Sequence, residues 1–459
     1  MNRRIDDIYR PTELRLRDFD EVERPLPVGD VRAQAERCLN CGIPFCHGSG
    51  CPLGNVIPEF NAAAARGNDR LAYKILSETS CFPEFTCRVC PALCEGSCTQ
   101  GIDGEAVMIR QTEKHIIETA FANSWVAPVV PAKRRGKKIA IIGSGPSGLY
   151  LAELLNRMGF QVTVYERNAR PGGLLRYGIP DFKLAKAVID RRLEIMRREG
   201  IEFVTSTVIG RDVSAGYLLD RHDALALAFG TPAARDLPLP GRELGGIHFA
   251  LEFLQGQNRV NSGELAAPPV NAAGKKVLVI GGGDTGSDCV GTALRQGAES
   301  VTQIEIMPQP PPERSASTPW PQWPYLLRTS SSHREGGLRR WNVATRGFFG
   351  SDGRVQGIEA EEVEWELSPT GRPLKFAAVA GTTERIRADL VLLAMGFTGV
   401  PKHGIAEELK LELSPRGTVV PDVGRRIFAA GDCFSGASLV VRAMASAAAT
   451  AKQMEEVLS

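Results

Sequence analysis

A chain of 459 residues with 55 basic and 53 acidic side chains carries a formal charge of only +2; no global field draws it to nucleic acid or an anionic membrane, and neither is expected as a partner. Its 43% hydrophobic content is ordinary for globular proteins, and the length suffices for about three domains. No segment approaches the roughly 20 apolar residues of a membrane span, and the charged opening MNRRIDDIYRPTELRLRDFD lacks the apolar core of a signal peptide, so a soluble, cytoplasmic protein is expected.

Up to about residue 36 the chain reads as charged turns and one helix, interrupted by Pro11, Pro25 and Pro27. Nine of the 11 cysteines then fall between Cys38 and Cys98. In a large cytosolic chain such clustering points to metal rather than disulfides. The first group is Cys38, Cys41, Cys46 and Cys51; the second is Cys81, Cys87, Cys90, Cys94 and Cys98. Short spacings let thiolates converge on a cubane from a tight loop, and Cys51 and Cys90 each precede a proline, as does the ferredoxin cysteine that ligates the other cluster. Two [4Fe–4S] clusters fit these spacings best. Structural zinc wants paired C-x2-C knuckles, and only Cys38/Cys41 and Cys87/Cys90 have that spacing. His47 is read as a neighbour of the first group rather than a ligand. Helical periodicity is expected over residues 56–76 and 107–122, and the proline-rich basic stretch 127–135 reads as a linker.

The stretch KKIAIIGSGPSGLYLAELLNRMGFQVTVYERNARPGG, residues 137–173, has the order strand, glycine turn, helix, strand, acid. Gly143, Gly145 and Gly148 serve the tight turn, the close approach of a pyrophosphate and the packing of helix on strand, and the anion rests on the free N–H groups at the helix start, beside Pro146 and Ser147. Glu166 closes the second strand, where a carboxylate accepts the ribose hydroxyls of an adenosine moiety. A second fingerprint follows in residues 276–306, with Gly281, Gly283, Asp284, Thr285 and Gly286 at its turn. Two such units bind two different dinucleotides more readily than two copies of one, and the usual pair is FAD with NAD(P)H. A third motif, Gly431-Asp432 before an alanine-rich helix over 440–457, places an aspartate on the flavin's ribityl chain; Gly173 and Leu174 complete the expected flavin contacts. The flavin unit is therefore split by an inserted nicotinamide unit. Two apolar strands ending in Ala-x-Gly, at 225–230 and 390–396, mark the crossings, and the excursion 307–337, with seven prolines, is read as ordered.

The strings CLNCGIPFCHGSGCPLGNVIPEFN, FPEFTCRVCPALCEGSC, LLRYGIPDFKL, DTGSDCVGTALRQGA and FAAGDC, with both fingerprints, resemble the small (β) subunits of NADPH-dependent glutamate synthase over nearly the whole chain. The wider group includes the reductase half of dihydropyrimidine dehydrogenase. The resemblance implies an α/β architecture: a helical domain with two [4Fe–4S] clusters over 1–130, a flavin domain over 131–255 and 386–459, and an NADP domain inserted at 256–385. It implies that Cys38, Cys41, Cys46 and Cys98 hold one cluster, and that Cys51, Cys90 and Cys94 hold the other. The fourth ligand of the second is Glu113 or Cys87, and Cys81 and Cys87 depart from the family pattern. It implies electron flow from NADPH through FAD and the clusters to a large subunit that makes glutamate from glutamine and 2-oxoglutarate, with no catalytic side chain, because hydride transfer needs orientation rather than an acid or base. A subunit of a ferredoxin-linked or bifurcating complex and a non-catalytic assembly subunit are the alternatives. For the coenzyme, Glu305 suits a 2′-hydroxyl and NAD, whereas Arg314 and Arg328 suit a 2′-phosphate; the resemblance favours NADP.

Overall fold

The computed structural model describes every residue except Met1, Asn2, Thr370 and Arg372. Helices dominate the first 122 residues, and two five-stranded parallel sheets carry the remainder. In the first sheet the spatial order is Ile427–Ala429, Ala224–Leu227, Lys138–Ile142, Gln161–Tyr165, Glu202–Val204. The second repeats it with Ile247–Phe249, Leu390–Leu393, Lys276–Ile280, Ser300–Glu305, Leu338–Trp341. Ile139 to Ile142, Val277 to Ile280 and Leu390 to Leu393 are buried throughout, as strands covered on both faces must be; helices cover one face of the second sheet, and Val343, Phe348 and Ile358 pack on the other.

The second sheet draws strands from both sides of the expected 256–385 insertion. Ile247–Phe249 pairs with Leu390–Leu393, which pairs in turn with the central strand Lys276–Ile280. A short apolar strand reads alike in either sheet, and only its pairing assigns it. The two passages between the sheets run side by side, Ala233–Ala234 antiparallel to Phe397–Gly399. A four-stranded antiparallel sheet, from Val343–Ser351 to Glu384–Arg387, rises from the second unit with no counterpart in the sequence reading.

The helix expected over 56–76 is two, Ile57–Ala65 and Asp69–Thr79. Gly67 turns between them at φ +70°, and the Asn68 side chain accepts from Leu71 N–H to start the second. The opening segment likewise holds two helices rather than one, Thr12–Arg15 and Val28–Ala35, each entered through a proline. It straps the units together: Arg15 reaches the wholly buried Arg295–Glu335 pair, and Glu23 pairs with Arg110. The helical domain shares a core with the first sheet, Phe82 and Phe85 packing with Tyr150 and Leu151. Beneath them Arg192 donates to Glu84 at 2.6 Å, both side chains almost wholly buried.

Candidate cofactor and cluster sites

Both glycine turns are built to one plan. Gly143 (φ +103°) and Gly281 (φ +120°) occupy backbone space closed to other residues. A Cβ on Gly148 would lie 2.0 Å from Gly143 O, and one on Gly286 would lie 2.3 Å from Gly281 O, so helix and strand touch only because these are glycines. Gly145 and Gly283 have nothing within 4 Å of a Cβ, which leaves the mouth of each turn open to a pyrophosphate. Pro146 and Asp284 are the first residues of the two helices.

The acids match as well. Glu166 accepts from Ser144 N–H at 3.2 Å and Asn168 N–H at 2.8 Å. Glu305 accepts from Gly282 N–H at 2.6 Å and Met307 N–H at 3.0 Å. Each therefore stands beside its glycine turn, held by the amide of the turn and by that of the residue two further on. At the far end of the first turn, a Cβ on Gly173 would lie 2.6 Å from Gly145 Cα, and one on Gly431 would lie 2.6 Å from the Ser147 Cβ. Residues distant in sequence thus close on one cleft, with Leu174 41% exposed at its edge. Burial raises the Asp432 carboxyl against its bond from Ser438.

The cysteines ring two adjoining cavities. Cys38, Cys41, Cys46 and Cys98 line one, together with Asn61. Cys51, Cys90, Cys94 and Glu113 line the other, and Ile57 and Ile109 wall both. The division starts at a five-residue π turn, Cys46–Gly50, with Cys46 and Cys51 at its two ends. Gly50 lets the loops meet, since a Cβ there would lie 2.8 Å from Cys94 Cα. Backbone N–H groups already face the thiols: Asn40 toward Cys38, His47 toward Cys46, Leu53, Gly54 and Asn55 toward Cys51, Ala92 and Leu93 toward Cys90. Burial pushes Cys46 up to about 12 and Cys90 up to about 11, so these sulfurs become thiolates only against a strong cationic partner. Among the described residues no three His, Cys, Asp or Glu side chains converge tightly enough for a single ion; a cubane holds its ligands further apart. The donor set fits [4Fe–4S] groups.

Cys87 lines neither cavity. Its thiol faces Glu84 O at 3.5 Å, packed with Ile117 and Ala120. Cys81 is buried beside Phe82 and Tyr150 in the shared core. Glu113, by contrast, points into the second cavity and accepts from Thr86 Oγ1 at 2.5 Å; burial lifts it to about 7, opposed by that bond. Thr86, Asn61 and Val441, the last reaching the second cavity from the C-terminal helix Val440–Leu458, carry no sequence signal that marks them.

Arg314, expected at a 2′-phosphate, has its guanidinium turned to backbone carbonyls here. It donates to Thr318 O, Gln322 O and Gly96 O. Arg328 stacks on Trp323, 4.0 Å from the ring centroid, and donates to Pro324 O. The proline-rich excursion so anchored lies on the cysteine loops, with Trp320 4.5 Å from the Phe45 ring and Pro321 O accepting from Ser97 Oγ at 2.7 Å.

A helical iron–sulfur domain joined to two dinucleotide-binding units defines an oxidoreductase of the flavin-linked, pyridine-nucleotide class. Residues 15–125 match the family described as dihydropyrimidine dehydrogenase domain II, 4Fe-4S cluster, and residues 137–318 match pyridine nucleotide-disulphide oxidoreductase. The chain is 49% identical to the glutamate synthase [NADPH] small chain of Mycobacterium tuberculosis, over 98% of its own length and 93% of the relative's. It is 36% identical to that of Escherichia coli, over 96% and 94%. Against glutamate synthase [NADH] of Saccharomyces cerevisiae it is 42% identical, over 97% of this chain and 21% of that protein. The chain belongs to the glutamate synthase small-chain family. Among solved structures, Mycobacterium tuberculosis FprA in complex with NADPH shares the fold, with a TM-score of 0.54 at 22% identity over 71% of this chain and 85% of that one. No helix among the described residues is long and apolar enough to cross a membrane.

Proposed function

We propose that the chain oxidises NADPH and delivers its electrons, through FAD and two [4Fe–4S] clusters, to a large glutamate synthase subunit that makes L-glutamate from L-glutamine and 2-oxoglutarate. When bound, the flavin supplies acceptance of a hydride and release of single electrons. The chain's own residues bind and orient. Gly143, Gly145, Gly148 and Glu166, with Gly173, Leu174, Gly431 and Asp432, cradle FAD. Gly281, Gly283 and Gly286, with Asp284 and Thr285, seat the pyridine nucleotide. Cys38, Cys41, Cys46 and Cys98 hold one cluster, and Cys51, Cys90, Cys94 and Glu113 the other.

One observation carries this reading. Val441, in the first turn of the helix that follows Gly431 and Asp432, also lines the cavity of Cys51, Cys90, Cys94 and Glu113. The flavin cleft and that cluster cavity therefore share one helix start, and the cavity of Cys38 lies beyond it across Ile57 and Ile109. With the groups bound, the residues around Glu113 would hold the cluster nearer the flavin and those around Cys38 the one further from it.

The test is an anaerobically purified chain assayed for iron, sulfide and flavin. About eight irons per FAD, bleaching of both chromophores by NADPH, and co-purification with a large glutamate synthase chain are expected. Zinc in place of iron overturns the electron path; absence of NADPH-driven reduction leaves only an assembly subunit; pairing with a different acceptor protein overturns the reaction.

A further inference from the structure

Asn61, on the helix Ile57–Ala65, has no exposed surface and lines the cavity of Cys38, Cys41, Cys46 and Cys98. Neither its Nδ2 nor its Oδ1 has a hydrogen-bond partner among the described residues other than the Cys38 sulfur beside it. Buried carboxamides are rarely left unmet at both ends, because each lost bond is uncompensated. Most of the cavity's other walls are apolar, among them Ile57, Pro58, Val107 and Ile109. The thiol beside the carboxamide is that of Cys38, and Thr99 and Gln100 are the cavity's other polar walls. Among the described residues, no wall of the second cavity carries a buried side-chain nitrogen or oxygen without a partner. There Asn55 Oδ1 accepts from Thr79 Oγ1, Thr86 donates to Glu113, and Arg110 is held by Glu23 and Cys87 O.

Resting on the reading of these cysteines as cluster ligands, we propose that Asn61 is a potential-setting residue: its amide N–H is spent on the Cys38 sulfur of the bound cluster and makes that cluster easier to reduce than it is without the donor. A hydrogen bond to a ligating sulfur stabilises the additional negative charge of the reduced state, which raises the potential. Placed at the cluster furthest from the flavin, it draws electrons outward. Asn61 touches no reacting atom of the nucleotide or flavin and acts through the cluster alone.

The experiment is a mediator titration of the full chain, with FAD and clusters, followed by electron paramagnetic resonance in the native protein and in Asn61→Leu, which keeps the volume and removes the donor. At a fixed poise near the midpoint, the reduced-to-oxidised ratio of one cluster is expected to fall by about threefold to tenfold, with the other cluster and the iron content unchanged. Unchanged potentials at full iron content overturn the proposal, as does an equal shift in both clusters. Where the variant fails to load, the native chain labelled with 15N-asparagine decides: a 15N coupling to one reduced cluster is expected, and its absence overturns the proposal. A native sample without iron overturns the cluster reading itself, which separates the two failures.

Discussion

Arg314 donates to the carbonyl of Gly96 at 2.8 Å, joining the nucleotide-binding unit to the loop between Cys94 and Cys98. Its other amino group holds Thr318 O and Gln322 O, so the guanidinium fastens the proline-rich excursion over the cysteine loops. Arg314→Ala is expected to leave the KM for NADPH within about twofold, because the side chain is spent on carbonyls. Losing bonds worth about 1 kcal/mol each should lower the melting temperature by a few degrees. A tenfold rise in that KM would return the residue to the 2′-phosphate.

Glu305 stands at its turn as Glu166 does at the first, and a carboxylate so placed accepts a ribose 2′-hydroxyl and repels a 2′-phosphate. Glu305→Gln should raise the ratio of kcat/KM for NADPH over NADH by about tenfold, about 1.4 kcal/mol. Steady-state rates with an artificial acceptor check it, and an unchanged ratio would show that the acid does not meet the ribose.

Cys87 lies outside both cavities, whereas Glu113 lines one of them. Cys87→Ala should therefore retain the full iron content with only a packing cost, while Glu113→Ala should lose iron from one cluster on exposure to air. Colorimetric iron assays of the two purified variants separate the ligands, and the reverse pattern would exchange the assignment.

The Arg192–Glu84 pair bonds helical domain to flavin domain with almost no water contact. Glu84→Leu leaves a buried guanidinium without its partner, at a cost of about 3–5 kcal/mol. Thermal unfolding of the holoprotein should show the loss; a change below 1 kcal/mol would mean that the arginine finds water.

His333 sits between Gln303 Oε1 and Ser330 Oγ, behind the second glycine turn. Burial, with the charges of Arg339 and Lys183, lowers it from 6.5 to about 4. The folded state therefore refuses a proton that the unfolded chain accepts. The stability this provides is complete above pH 6.5 and is lost as the pH falls toward about 4. In His333→Gln the slope of stability against pH should flatten across that window in chemical denaturation, and an unaltered slope would place the titration elsewhere.

The parts of this protein legible in its sequence are those in which a few neighbouring residues meet a local demand. Gly143, Gly148, Gly281 and Gly286 are required by contacts to their own turns and to the strands beside them, and apolar runs of four residues announce the central strands. The cysteine count announced metal. The helix break at Gly67 is not legible in the sequence because its two halves share one periodicity, nor is the antiparallel sheet over 343–387, because its strands alternate without a nucleotide motif. Tertiary structure alone decided which sheet Leu390–Leu393 joins, that Glu113 lines a cysteine cavity while Cys87 lines neither, and that Trp320 comes to rest on Phe45. Those outcomes depend on pairing and burial between segments far apart in the chain, where one residue type satisfies several environments and packing selects among them.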